Sequence, residues 1–197
     1  MSGLDWTFFR AFVKAPMVVA SAIPSSSMLE RRTIRNLELD TAGVVVEFGA
    51  GTGGLTRAIL AEMRPDAHLL SIEWTPDFMP ALEKIDDPRF EVLNDCASSI
   101  LDHLERRGFA HADAVVSGIP FSTMPPDLCR TIAANLHQAL APGGRFVAYQ
   151  FSDKVVDYVA PHLGQPTVEH ELINIPPMRV FSWRKAARNH NHVAVNA

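Results

Sequence analysis

The most chemically informative stretch of the sequence is Glu47-Phe48-Gly49-Ala50-Gly51-Thr52-Gly53-Gly54, which closes an almost wholly apolar run over 43–48. Glycines at this spacing let a chain turn sharply out of a strand and bring its backbone close to a ligand, with a helix N-terminus just beyond. Gly49, Gly51 and Gly54 also meet the dinucleotide spacing, so the glycines alone do not choose the ligand. Glu47 does. A carboxylate at the end of a buried strand suits a cationic group better than a pyrophosphate, because a buried anion without a partner is costly. S-adenosyl-L-methionine, whose methionine part carries an ammonium and a sulfonium, is such a ligand. A tight turn with no ligand would leave Glu47 without a reason.

Three further strand ends carry candidate chemistry. Glu73 closes Leu70-Ser71-Ile72-Glu73, and an acid about 20 residues past a glycine turn is placed to accept both ribose hydroxyls. Trp74, next in the chain, packs on an adenine or is an ordinary core or surface tryptophan. In Asn94-Asp95-Cys96, Asp95 accepts from an adenine amino group or, like Asn94, caps the helix that follows, and Cys96 reads as a small buried neighbour. Ser117-Gly118-Ile119-Pro120-Phe121 ends a fourth strand beside the expected methyl group. Its proline stiffens the turn and its carbonyls can accept hydrogens from a substrate amine. Phe121 offers a ring face for a methylammonium. A primary amine has a pKa near 10, by analogy with lysine, so it must lose a proton before it attacks. Tyr149 and His103 are candidates to assist, with water as the alternative acceptor. The eight histidines show no metal spacing, and no Gly-x-Ser-x-Gly or Cys–His arrangement points to a nucleophile.

The elements that must position these residues follow from periodicity. Strands are expected over 43–48, 68–73, 89–93, 112–117 and 145–151, with a final pair over 168–175 and 178–184. Helices are expected over 28–37, 54–63, 76–84, 97–107, 126–140 and 153–162, and Pro142-Gly143-Gly144 reads as a turn. Strands alternating with helices imply a parallel sheet covered on both faces. Ahead of them, 5–20 reads as a helix with Trp6, Phe9, Phe12 and Val13 near one face and Arg10 and Lys14 on another.

Taken in order, the segments 44–54, 71–74, 93–96 and 113–121 resemble the motifs of class I S-adenosylmethionine-dependent methyltransferases. Ala22-Ile23-Pro24-Ser25-Ser26, the Ser117–Phe121 segment and Asn174-Ile175-Pro176-Pro177 narrow the likeness to small bacterial phospholipid N-methyltransferases, relatives of the rRNA adenine dimethylases. The resemblance implies a Rossmann-like, seven-stranded, mostly parallel sheet with helices on both faces and an N-terminal amphipathic extension. It divides the chain into an extension over 1–40, acting as a membrane or substrate lid, and a methyltransferase domain over 41–197. The cofactor would be S-adenosyl-L-methionine. It would be held by Ser25, Ser26, Ser27, Glu47, Gly49, Gly51, Gly53, Glu73, Trp74, Asp95, Cys96 and Ser117. Ser117, Gly118, Ile119, Pro120, Phe121 and Tyr149 would form the acceptor side. Adenine methylases resemble this chain at Gly118 but carry Asn or Asp there, whose side chain helps hold the adenine amine. Its absence fits an aliphatic amine. The expected reaction is therefore methylation of phosphatidylethanolamine, and of its methylated intermediates, towards phosphatidylcholine. RNA adenine N6-methylation and a non-catalytic cofactor- or nucleotide-binding module are the alternatives, and ornithine lipids are a further acceptor that the sequence does not exclude.

Composition agrees with a globular enzyme. The 197 residues are 47% hydrophobic and 20% charged, with 18 basic and 22 acidic side chains giving a net charge of −4. That balance argues against a dedicated nucleic-acid binder. Two cysteines, Cys96 and Cys129, make no disulfide framework and fit a reducing compartment. No run is long and apolar enough to span a bilayer, so the expected placement is cytoplasmic, at the inner face of the membrane. The aromatic 5–20 helix with Arg10 and Lys14 has the pattern of an interfacial helix, unless its aromatics pack on the core. Arg179, Arg184, Lys185 and Arg188 could meet anionic lipids or form an ordinary solvated face.

Overall fold

A computed structural model of the chain describes residues 26–171 and 177–187. The aromatic helix over 5–20, Ser25, Asn174-Ile175-Pro176, Arg188 and the tail beyond it lie outside the described residues, as do the side chains of Ser26 and Ser27. The strands are β1 (Val44–Phe48), β2 (His68–Glu73), β3 (Phe90–Asn94), β4 (Ala112–Ser117), β5 (Leu140–Gln150), β6 (Thr167–Glu171) and β7 (Met178–Arg184). They form one sheet in the order β3-β2-β1-β4-β5-β7-β6. The first five run parallel, and β7 runs antiparallel to both β5 and β6. The helices are α1 (Ser26–Arg35), α2 (Gly54–Glu62), α3 (Met79–Leu82), α4 (Ile100–Arg106), α5 (Pro126–Ala139) and α6 (Lys154–Leu163). This is the seven-stranded arrangement the motifs imply.

The apolar strands are apolar because both faces of the sheet are covered. Val46, Phe48, Val115, Phe146 and Ala148 pack with Ile100 and Leu104 of α4, Ile132 and Leu136 of α5 and Val159 of α6. Val45, Leu69, Ala114, Val116 and Val147 pack on the opposite face with Leu55 and Ile59 of α2 and with Leu37 and Leu39. The stretch 26–40, expected as part of an extension, thus contributes Leu37 and Leu39 to the core. Alternation along a strand sends successive side chains to opposite faces. Glu47 and Tyr149 accordingly belong to the α1–α2 face, and Ser117 to the α4–α5 face. The register sets Phe48 opposite both Ile72 and Ser117, so β1, β2 and β4 end level with one another.

Helix α1 is tied to the far edge of the sheet. Glu169 of β6 accepts from Arg32 Nη1 at 2.8 Å, Arg35 Nη2 at 2.7 Å and Asn36 Nδ2 at 2.9 Å, and Arg32 Nε donates to the buried Glu171 at 3.2 Å.

Three local expectations are corrected. Residues 142–144 are not a turn ahead of β5 but a bulge within it. The partner of Ala112 is Leu140 and that of Ala114 is Arg145, so the extra residues loop out. Gly143 N–H donates to the Lys185 carbonyl at 3.0 Å and Lys185 N–H donates to Gly144 O at 2.9 Å, which keeps the bulge in the ladder. The helix expected over 76–84 is a 3₁₀ turn, Pro76–Phe78, followed by α3. Pro80 has no N–H to continue a regular helix from Pro76. The helix expected over 97–107 likewise starts as a 3₁₀ turn, Ala97–Ser99, before α4. The basic residues near the C-terminus are used by the fold. Arg184 pairs with Glu38, Arg179 lies 3.6 Å from Asp153, and Lys185 Nζ donates to the His137 and Leu140 carbonyls at the end of α5.

Candidate active site

The strand order lines up the candidate residues along the carboxyl edge of the sheet: Asp95 and Cys96 after β3, Glu73 and Trp74 at β2, Glu47 through Gly53 at β1, Ser117 through Phe121 at β4, and Tyr149 near the end of β5. In an open α/β sheet this edge, at the reversal of strand order between β1 and β4, is where ligands bind.

Glu47 is buried, with 1% of its surface exposed. Its Oε2 accepts from Thr56 Oγ1 at 2.7 Å and Ser71 Oγ at 2.6 Å, whereas its Oε1 has no partner. Burial raises the carboxyl to about 7, against the pull of the Ser71 and Thr56 hydroxyls, and the charge of Glu73 adds to the rise. One oxygen of this buried carboxyl is therefore held by the protein and the other is left without a partner. Thr56 and Ser71 were not visible as site residues in the sequence. The available signal was a single hydroxyl in the buried strand Leu69-Leu70-Ser71-Ile72, set by register opposite Glu47.

The turn itself is built from left-handed backbone, with φ of 79° at Gly49, 55° at Gly51 and 82° at Gly53. At two of these glycines the neighbours also leave little room for a side chain. A Cβ on Gly49 would meet Ile119 Cγ2 at 3.0 Å, and one on Gly53 would meet Ile85 Cδ1 at 3.0 Å and Leu82 Cδ2 at 3.1 Å. Gly51 faces β2, its N–H donating to Glu73 Oε2 at 2.9 Å, while Thr75 N–H holds the other oxygen at 2.7 Å. Glu73 is 5% exposed. Each of its oxygens keeps a lone pair for a hydroxyl donor.

On the β3 side, Asp95 Oδ1 accepts from Cys96 N–H at 2.7 Å and Oδ2 lies 2.8 Å from His103 Nε2. Burial pushes this carboxyl up, but the Cys96 amide and His103 outweigh it and hold it below its ordinary value. Asp95 thus precedes the 3₁₀ turn, which no side chain caps, and its oxygens keep spare lone pairs. Asn94 Nδ2 donates to the carbonyls of Glu73 and Trp74, and Trp74 is 39% exposed beside them. His103 serves Asp95, two strands from β1 on the side away from β4. It is not placed to take a proton from an acceptor at Ser117.

At β4, Ser117 is fully buried and its Oγ has no hydrogen-bond partner. The Gly118 N–H donates to Phe48 O at 2.9 Å, and Gln150 Nε2 donates to Ile119 O at 2.8 Å, so the loop after β4 is pinned on both sides. Gln150 escaped the sequence reading. Phe121 requires a correction. Its ring is 1% exposed and packs in the core, 6.2 Å from the Tyr158 ring, so it offers no face to a substrate. Tyr149 takes the place beside the loop. Burial, then the charges of Glu47, Glu73 and Glu30, push its phenol upward, and it stays a neutral hydroxyl. Glu30, also missed, reaches from α1 over the start of α2: its Oε1 lies 3.3 Å from where a Gly54 Cβ would sit. A negative charge is favoured at that helix N-terminus, and burial raises the carboxyl.

Comparison with known proteins meets this geometry. A methyltransferase-domain family model matches residues 46–146, from β1 into β5. An ornithine lipid N-methyltransferase of Singulisphaera acidiphila is 38% identical over 187 residues, covering 90% of this chain and 94% of its own length. The chain belongs to the class I S-adenosylmethionine-dependent methyltransferases. The N-methyltransferase NodS of Bradyrhizobium japonicum shares the fold, with a TM-score of 0.68 at 14% identity over 83% of this chain and 97% of NodS. NodS with bound S-adenosylhomocysteine aligns with a TM-score of 0.67, covering 82% of this chain and 88% of that one. A ribosomal RNA small subunit methyltransferase H of Polynucleobacter necessarius is 28% identical over 90 residues, covering 46% of this chain and 28% of that enzyme.

The methyltransferase uses S-adenosylmethionine, and the residues present fit it. The orphaned Glu47 Oε1 suits its ammonium, Glu73 its ribose hydroxyls, and the buried Ser117 Oγ a polar group at the methionine end. Among the described residues no cluster of three or more His, Cys, Asp or Glu side chains could hold a metal ion.

Proposed function

We propose that this N-methyltransferase methylates the amine of a membrane-lipid headgroup, with an ornithine lipid ahead of phosphatidylethanolamine as acceptor. The observation that carries the reading is the likeness, over 90% of this chain and 94% of the relative, to an ornithine lipid N-methyltransferase. The neutral Tyr149 phenol over Gly118 suits the same class of acceptor, since it faces position 118 with a hydroxyl and a ring and no charged side chain.

When bound, S-adenosylmethionine supplies a methyl group on a cationic sulfur, and transfer to an amine nitrogen leaves a neutral thioether and releases one proton. No new negative charge develops, so the protein's task is positioning and delivery of an unprotonated amine. Ser117 and Gly118 fix the floor, Ile119 is held by Gln150, and the neutral Tyr149 hydroxyl provides a hydrogen-bond partner. The surrounding apolar packing favours the uncharged amine once its ammonium has shed a proton.

The enzyme reaches its substrate from one side of the membrane in this reading, docked by the aromatic and basic residues between Trp6 and Lys14. Among the described residues no helix is long and apolar enough to cross a membrane. Labelled S-adenosylmethionine, mixed with the protein and vesicles carrying either ornithine lipid or phosphatidylethanolamine, tests the reading, with RNA as a third acceptor. Label in ornithine lipid is expected. Label in phosphatidylethanolamine alone would restore the phosphatidylcholine route, and label in RNA alone would overturn the lipid reading.

A further inference from the structure

The end of β4 contains a space that residue 118 does not fill itself. A Cβ built on Gly118 would lie 2.2 Å from Tyr149 Oη and 2.7 Å from Cζ. No side chain fits there while the phenol is in place. The backbone has little freedom to move aside, because the Gly118 N–H is bonded to Phe48 O and the next carbonyl is held by Gln150. The side-chain volume at this corner is thus supplied from β5 across the sheet.

We propose that Tyr149, seated over Gly118, is a specificity-determining residue that shapes the acceptor site for a flexible alkylammonium. The inference rests on the lipid-amine reading above. An amide or carboxylate at position 118 would present a planar grip suited to an amine conjugated with an aromatic ring. A phenol hydroxyl instead offers a single lone-pair acceptor beside an aromatic ring, and it imposes no plane on its partner. An ammonium entering here meets the Tyr149 oxygen and the ring, which attracts cations. Because the phenol is neutral, one N–H of the acceptor can be held without a strong anion beside the nitrogen. The contact orients the nitrogen, and its remaining valences stay available. Replacing glycine by a larger residue at 118 removes this arrangement by collision and not by chemistry. Position 118 and position 149 must therefore change together.

The test uses the full chain and three variants. Tyr149→Phe keeps the ring and removes the hydroxyl. It is expected to bind S-adenosylmethionine with unchanged affinity in calorimetry, and to lose about tenfold or more in kcat/KM on ornithine-lipid vesicles, the loss of roughly one hydrogen bond to a charged group. Full turnover by Tyr149→Phe would overturn the proposal. A second readout needs no catalysis. Gly118→Ala should lower the melting temperature in the natural background and much less in a Tyr149→Ala background, where the space is open. Equal losses in the two backgrounds would overturn the pairing. If the unaltered protein binds the cofactor but methylates no lipid amine, the lipid reading fails and this acceptor assignment falls with it, whereas the coupling of 118 to 149 would still be read in the melting curves.

Discussion

The backbone N–H of Gly51 is bonded to Glu73 Oε2 at 2.9 Å, which ties the left-handed turn after β1 to the end of β2 across the sheet. The same carboxylate is held from the other side by Thr75 N–H at 2.7 Å. The end of β2 is therefore organised by the protein itself, and the carboxylate proposed to receive the ribose hydroxyls also fixes the loop they would approach.

Glu73→Ala removes both functions at once. It should weaken S-adenosylmethionine binding by about 1–3 kcal/mol, the cost of leaving buried donors unpaired, and should lower the melting temperature because two backbone N–H groups lose their acceptor. Calorimetric titration and thermal melts check both. Unchanged affinity in a folded variant would remove Glu73 from the ribose site.

Glu47 makes binding and stability respond to pH in opposite ways. Its carboxyl titrates at about 7 in the folded protein, above the ordinary carboxylate range. A raised acid pKa contributes stability that is fully present below the unfolded value, and is lost as pH rises through the folded value. The ligand-free protein should therefore melt at a lower temperature at pH 8 than at pH 5.5 by this contribution, and Glu47→Gln should reduce that difference. A cationic ligand favours the ionised form, so S-adenosylmethionine affinity should fall as pH drops below about 7. Titrations at pH 5.5 and pH 8 giving the same affinity would argue against an ammonium contact at Glu47.

Gly53 and Gly108 both have positive φ, 82° and 73°, but only Gly53 is crowded. Gly108→Ala carries the backbone cost alone, about 1 kcal/mol. Gly53→Ala also presses on Arg57 Nη1, Ile85 and Leu82, which must give by a few tenths of an ångström, and it should cost about 1 kcal/mol more. Denaturant melts of the two variants separate the terms, and equal losses would show that Gly53 is needed only for its backbone.

Removing residues 1–14 should abolish vesicle binding and lipid turnover while cofactor affinity and melting temperature hold. Replacing Arg10 and Lys14 with Glu should weaken binding to anionic vesicles by about 1 kcal/mol per cation lost and more for the reversal, and high salt should mimic the effect. A truncated protein that still binds vesicles would rule out the docking role. A sharp fall in melting temperature would instead favour packing of the aromatics on the core.

What the sequence made legible was local. The strand over 112–117 is visible because its apolar run is bounded on both sides, and Glu47 and Glu73 stand out as acids ending apolar runs. The hydroxyls that hold Glu47 were hidden because the Ser71 bond joins residues 24 apart through strand register. Glu30 was hidden because its approach to Gly54 depends on how α1 crosses α2. Phe121 misled because a ring in a loop motif carries no periodic mark of burial, and residues 142–144 misled because Pro-Gly-Gly serves a bulge as well as it serves a turn.

The clamp on α1 has a consequence for the order of assembly during synthesis. Arg32 meets Glu169 across 137 residues of chain, so the ribosome releases the helix long before it releases the strand that anchors it. Contacts of such separation form late, after the loop between them has been closed by other structure. The nascent sheet can complete β1 to β5 while α1 still lacks its β6 anchor. The Arg32–Glu169 clamp should then be among the last contacts to become protected, and a chain halted before residue 167 should lack it while the packing of Leu37 and Leu39 on the core is retained.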